Sequence, residues 1–324
     1  MGFTKSGLRG VILSISLIIG ASITASSATA QFGILKDVAK KVAAPKVAKI
    51  IPQKQPVSTN IADAIYGVPE YDRFVPDIAQ KSLTSLPRDE KGGFILAAGY
   101  YSFNAQSYCL HAGTHGPGGG DGYLYAPLKG TAQRAVQSIL ENSVAHPEIE
   151  QKEIQTLLWA IVARAKFENL STRTKFVASQ LLTPQEIAAL NRDALGMLTD
   201  PAFAKITGGL PPFARQVLRA EADLRAMLSS SSSSYEELER IAVLTGAVER
   251  GEGSIDTPAT RWSLHPDGYY IRYDPFGYSK TKVEIWVEVN SPAIGKTYNP
   301  AVHIAVPGNT SRQRLAQSAR EYGK

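Results

Sequence analysis

The chain has 324 residues, 44% of them hydrophobic and 20% charged, with a formal net charge of +6 and one cysteine, Cys109. That length accommodates one or two domains with full cores, and a lone cysteine rules out an internal disulfide and hence a disulfide-stapled scaffold. The positive charge is local rather than spread, and no stretch resembles a nucleic-acid-binding module.

At the start of the chain, Lys5 and Arg9 precede the apolar run "VILSISLIIGASITA", and Ala28 and Ala30 form an A-x-A pattern. This predicts a signal peptide over residues 1–30, cleaved after Ala30. The apolar run is shorter than the roughly 20 residues of a spanning helix and is interrupted by serine and glycine. The chain is therefore expected to be exported, to the periplasm, the cell surface or the medium, and not to be transmembrane after cleavage. Residues 31–84 read as a basic, proline-interrupted linker. Its segment "LKDVAKKVAAPKVAKIIPQKQP" is lysine-rich, with Asp37 its single acid. Such a tether can approach an anionic surface, although a solvated linker is the simpler reading.

An α+β fold is expected for the remainder: a mixed, Cys-bearing and helical domain over 85–250 and a β-rich segment over 251–324. "GGFILAAGYYSF" reads as strands, which puts Cys109 at a strand end or in the loop beyond it. "GPGGGDG" reads as a mobile loop with several positive-φ positions. It fails as a phosphate loop, because no Lys-Ser/Thr follows and "YLYAPL" is not a helix start. Helices are predicted over "TAQRAVQSILEN", with Ala132, Val136, Ile139 and Leu140 on one face, and over "EIQTLLWAIVARAKF", with Ile154, Leu157, Leu158, Ile161 and Ala165 at helical spacing. Thr183 and Glu186 form a capping box that opens "QEIAALNRDALGML". "PPFARQVLRAEADLRAML" is a further helix. After the serine run at 229–234, Ser234 can cap "YEELERIAVLTG", which is expected to end at Gly246.

Beyond residue 250 the period changes. Thr281, Val283, Ile285, Val287 and Val289 alternate with other residues, and "DPFG" fits a type I turn, so a β-hairpin is expected. Ile285 should face a core while Glu284 faces solvent and tolerates change. The closing "PGNTSRQRLAQSAREYGK" is read as polar and basic with a short helix.

Cys109 raises the question of chemistry. As the nucleophile of a secreted peptidase or amidase it needs a base from elsewhere in the chain, and His146, His265 and His303 are candidates. His111, two residues away, is too distant for a direct hydrogen bond along a strand. Cys109, His111 and His115 could supply metal ligands, but no second spaced pair completes a structural zinc site, and no metal or cofactor is expected. The simplest alternative is a buried structural thiol in an exported envelope protein.

A further reading comes from likeness. "YCL" at 108–110, "VQSIL" at 136–140 and "IQTLLWAIV" at 154–162 resemble, in that order, the motifs of bacterial surface thioester domains. The resemblance covers about residues 94–165, and Ile154 stands where the family has threonine. It implies a thioester between the Cys109 sulfur and the Gln155 side chain, with Gln137 as the supporting glutamine and Tyr108, Trp159 and His111 around it. It also implies an adhesion function, capture of an amine on a surface protein or polysaccharide ligand. Whether the chain is an enzyme stays open at this point.

Overall fold

The computed structural model describes residues 55–118, 120–199, 210–230 and 233–323. The expected signal peptide and the lysine-rich stretch through Lys54 lie outside them. The described residues are α+β, as expected. None of their helices is long and apolar enough to cross a membrane.

The strands, in chain order, are β1 (Gln80–Ser82), β2 (Phe94–Ile95), β3 (Gly99–Cys109), β4 (Thr114–His115), β5 (Tyr123–Pro127), β6 (Val243–Leu244), β7 (Ser263–Leu264), β8 (Tyr270–Phe276), β9 (Lys280–Val287), β10 (Thr297–Tyr298), β11 (His303–Pro307) and β12 (Leu315–Glu321). The helices are α1 (Gln133–Asn142), α2 (Gln151–Val162), α3 (Thr172–Leu181), α4 (Pro184–Thr199), α5 (Pro212–Leu228) and α6 (Tyr235–Ala242).

The main sheet closes on itself. β3 pairs β12, β12 pairs β11, β11 pairs β5, β5 meets β8 at Tyr123–Tyr273, β8 pairs β9, and β9 returns to β3, all antiparallel. Alternation along each strand sorts two surfaces. Tyr101, Phe103, Tyr123, Tyr125, Ile271, Tyr273, Val283, Ile285, Val287, Ala305 and Leu315 fill the barrel. Tyr108, Leu110, Leu124, Ala126, Ile304, Val306 and Ala316 point outward and are buried with Val136, Ile139 and Leu140 of α1 and Ile154, Leu157, Leu158 and Ile161 of α2. The predicted apolar stripes of those two helices are thus the faces laid on the barrel wall.

Several expectations are corrected by this arrangement. Residues 55–84 are not tether: Val57, Ile61 and Leu83 are buried, β1 adds to β3, and Trp262 Nε1 donates to the Phe74 carbonyl at 3.0 Å. The physical reason is the open outer face of β8 and β9, where Tyr71 and Phe74 cover Trp286. The β-rich segment after 250 is not separate, since its strands complete the barrel that β3 and β5 begin. Its end is no helix: Leu315, Ala316, Gln317, Ser318 and Ala319 are all buried in β12, where alternation serves two packed faces. The hairpin β8–β9 forms, but Asp274 and Pro275 are paired with Lys282 and Thr281, so the turn lies at Gly277 (φ 69°) to Ser279. Glu284 is not at a solvent face: it is 4% exposed and accepts from Arg272, Lys282, Gln80 and Tyr100. α6 stops at Ala242, because Val243 and Leu244 pair with Thr114 and His115. Helix α3, capped by Ser171, has no counterpart among the predicted elements.

The glycine loop is pinned on both sides of Gly119, at residues 116–118 and 120–122. Arg312 Nη1 donates to the Gly116 carbonyl at 2.7 Å, and a Cβ on Gly118 or Gly122 would collide with Arg312 or with the Pro258 carbonyl. Among its described glycines only Gly120 has positive φ. Close approach explains Gly118 and Gly122, and backbone conformation explains Gly120.

Candidate functional site

Cys109 is the last residue of β3 and continues the inward parity of Tyr101, Phe103, Ala105 and Ser107 to the rim of the barrel. Tyr108 and Leu110 point the other way. Both are fully buried under the helices, and the Tyr108 hydroxyl donates to Gln106 Oε1 at 2.9 Å. The aromatic-Cys-apolar triplet thus has two anchors on the outer wall and a thiol facing inward.

At this rim β3 outruns its neighbour. β9 begins at Lys280, opposite Gln106, so no β9 residue faces Cys109. Leu110 N–H goes to the Arg314 carbonyl on the β12 side, which leaves the Cys109 backbone groups directed to the vacated edge. Gln155 of α2 fills it. The Cys109 N–H donates to Gln155 Oε1 at 2.8 Å, and Gln155 Nε2 donates to the Cys109 carbonyl at 3.1 Å. One turn earlier on the same helix face, Gln151 Nε2 donates to the carbonyls of Ser107 (3.1 Å) and Ser279 (2.6 Å). The two glutamines act as a side-chain strand. Gln151 was legible only as the i−4 neighbour of Gln155.

The thiol is enclosed. Cys109 is 0% exposed and Gln155 1%. Trp159, one turn beyond Gln155, stacks on Tyr235 of α6 with ring centroids 5.2 Å apart. Tyr235 and Tyr278 share a hydroxyl–hydroxyl bond of 2.9 Å, and Tyr278 donates to Glu239. Cys109, Trp159, Leu238 and Ala242 belong to one apolar cluster, so α6 roofs the sulfur. Burial, with the nearby Glu239 charge adding to it, pushes the thiol well above its ordinary pKa. The sulfur is neutral SH, with no hydrogen bond among the described residues.

The other sequence candidates are placed as follows. Gln137 does not support the pair: it lies on α1 and donates to Glu141 of its own helix at 2.9 Å. Its helical position faces the barrel's flank, not the rim. His111 Nδ1 is shut from solvent without a hydrogen-bond partner among the described residues, and burial together with Arg314 holds its pKa well below the ordinary value. Neither His111 nor His115 bonds Cys109, and the described residues contain no group of three or more His, Cys, Asp and Glu side chains able to hold a metal ion. His146 pairs with Glu148 at 2.8 Å at the surface. His265 and His303 sit at the opposite end of the barrel, where β8 and β11 begin. None of the three base candidates for a hydrolase reaches the sulfur.

The arrangement brings a neutral thiol and a carboxamide into one sealed pocket, with a backbone N–H already donating to the carboxamide oxygen. No family model, curated protein or solved structure matches the chain.

Proposed function

We propose that this is an exported surface or extracellular protein of the adhesion type, in which Cys109 and Gln155 form an internal thioester for covalent capture of an amine-bearing ligand. The observation that carries the reading is the Gln155 carboxamide held on Cys109 itself, at 2.8 and 3.1 Å from its backbone nitrogen and oxygen. The Cys109 N–H polarises the carbonyl and would hold the oxyanion of the tetrahedral intermediate. The thiol adds to Cδ, the C–N bond breaks, and the thiol proton leaves with the nitrogen as ammonia. Water is excluded from the product by the Trp159–Tyr235 roof. An arriving amine then forms a C–N bond to Cδ and releases the Cys109 thiol.

Burial favours this over the hydrolase reading. A catalytic thiol needs a depressed pKa and a base, whereas this one is raised and has no histidine beside it. The same hydrogen bonds equally suit a purely structural clamp, in an envelope protein without chemistry. Intact mass separates the two. The thioester predicts a wild-type mass lower than the processed sequence by one ammonia, a loss abolished by Cys109→Ala and by Gln155→Ala, and addition of methylamine to wild type alone. A mass equal to the processed sequence, with one thiol titrating after unfolding, leaves the clamp.

A further inference from the structure

At the far end of the barrel from Cys109, His303, the first residue of β11, points inward with Ala305. His265 follows β7 and Tyr269 precedes β8. The three-residue loop between them is tight: His265 N–H donates to the Tyr269 carbonyl and Gly268 N–H to the His265 carbonyl, both at 2.8 Å. Gly268 has φ +99°, and a Cβ there would strike Pro292. This loop holds the His265 and Tyr269 rings stacked, with centroids 4.3 Å apart.

The two Nε2 atoms of His265 and His303 are 3.1 Å apart, and the Tyr269 hydroxyl is 2.9 Å from His303 Nε2. Their protons can be assigned from the fixed partners. His303 Nδ1 lies 2.6 Å from the Asn299 carbonyl, which only accepts, so Nδ1 carries the hydrogen and Nε2 the lone pair. His265 Nδ1 accepts from the Asp267 N–H at 3.1 Å, so its Nε2 carries the hydrogen. Two donors, His265 Nε2–H and Tyr269 O–H, therefore aim at the single lone pair of His303. One lone pair cannot satisfy both. Around them the hydroxyls of Tyr273 and Tyr298 are buried with no protein partner among the described residues, and the Tyr298 ring is 5.0 Å from that of His303.

We propose that His265 Nε2, His303 Nε2 and Tyr269 Oη bind a first-row transition-metal ion of the Zn2+ or Cu2+ class. Two ligands at about 2.0–2.1 Å from a tetrahedral ion lie about 3.3 Å apart, close to both separations seen here. An Nδ1–H donated to a backbone carbonyl is the outer-shell bond that orients a metal-binding imidazole. Two imidazoles and a phenolate suit copper or zinc and not magnesium or calcium. The fixed partners give each ring one hydrogen and one lone pair, the neutral form a metal needs. Binding balances as follows. Tyr269 gives its proton to solvent and binds as phenolate. His265 gives up its Nε2 proton and takes one at Nδ1, where Asp267 Oδ2 is 3.5 Å away. One proton is released per ion. The third donor is a phenol, so the site is compatible with the lack of any three-membered His, Cys, Asp and Glu group.

The test uses the untagged, chelator-stripped mature protein in a Cys109→Ala background, so that the thiol cannot be the ligand. ZnCl2 is titrated by calorimetry in two buffers of different ionisation enthalpy, and CuSO4 by absorption. The expected result is one ion per chain, one proton released, and a visible phenolate-to-copper charge-transfer band. Tyr269→Phe should abolish the band and the proton release, and His265→Gln and His303→Ala should each weaken binding by about 100-fold or more. Should His303→Ala fail to fold, the Tyr269→Phe and His265→Gln readings stand alone. Absence of saturable zinc binding, or binding unchanged by Tyr269→Phe and His265→Gln, overturns the proposal.

Discussion

Replacing Gln155 by alanine isolates what the side-chain strand contributes. The substitution leaves the Cys109 N–H and C=O buried and unpaired, because β9 does not reach them and Cys109 is 0% exposed. Each orphaned group costs about 1–3 kcal/mol, so the expected loss is about 2–6 kcal/mol. That is a large share of the stability of an ordinary domain, and at about 2–4 °C per kcal/mol it is visible in a melt. Gln151→Ala should cost less, about 1–3 kcal/mol, since the Ser279 carbonyl keeps the Ser107 N–H as a donor and only the Ser107 carbonyl loses its side-chain partner. A covalent link between Cys109 and Gln155 would add to the effect, so the comparison belongs in a Cys109→Ala background, where no link can form. The assay is urea unfolding followed by tryptophan fluorescence, with amide exchange at residue 109 as a local readout. A loss below about 0.5 kcal/mol in that background, with residue 109 still protected, would refute the clamp.

Three further outcomes follow from the fold and a fourth from the sequence. Glu284→Ala should destabilise by about 3–5 kcal/mol, as much as Ile285→Asp, because it strands Arg272 in a buried pair; urea midpoints near wild type for Glu284→Ala would contradict this. Stability should decline as pH falls. His303 and His265 have folded pKa values of about 3 and about 4 against an ordinary 6.5, so their contribution is present above 6.5 and lost below it as the unfolded chain takes up protons. Burial raises the Glu284 carboxyl, but the hydrogen bonds from Tyr100, Arg272 and Lys282 and the Arg272 charge outweigh it, so its contribution is present above about 4.5 and lost on further acidification; a melting temperature flat from pH 7 to 4.5 would exclude the histidine contribution, and one flat from about pH 4.5 to 3 the Glu284 contribution. Gly67→Ala should release the segment over Trp262, because a Cβ there would lie 1.4 Å from the Trp262 carbonyl oxygen, and limited proteolysis near residue 70 would detect it. Cleavage after Ala30 should leave Gln31 first, and N-terminal sequencing of the exported protein that begins at Met1 would refute the processing site.

The sequence carried the local signals well. The stripes of α1 and α2, the capping box of Thr183–Glu186, the cap at Ser234, and the alternation of Val283, Ile285 and Val287 all became real elements. Cys109 and Gln155 were singled out from their motifs and do meet. What stayed hidden depends on partners distant in the chain. β12 looks polar because its Gln317 and Ser318 are buried against β3 and not in an apolar core. Gln137 was drawn in by its motif, but its helical phase sends it to Glu141. Glu284 looked like a solvent face because nothing local says that Tyr100, Gln80 and Arg272 cover it. The His265–His303 pair is 38 residues apart and needed the barrel to bring it together.

β3 is flanked by β9 on one edge and by the short β1 and then β12 on the other; β9 arrives only after some 170 residues and β12 later still. The barrel wall therefore has no early, self-sufficient half: a nascent chain can form α1 and α2 but has nothing to lay them on. Non-local pairing of this kind must meet the entropy of closing a long loop before any contact stabilises it, which makes for slow folding. It also means that loss of the final ten residues should not trim an edge but open the cylinder, exposing the cysteine rim and the histidine end together.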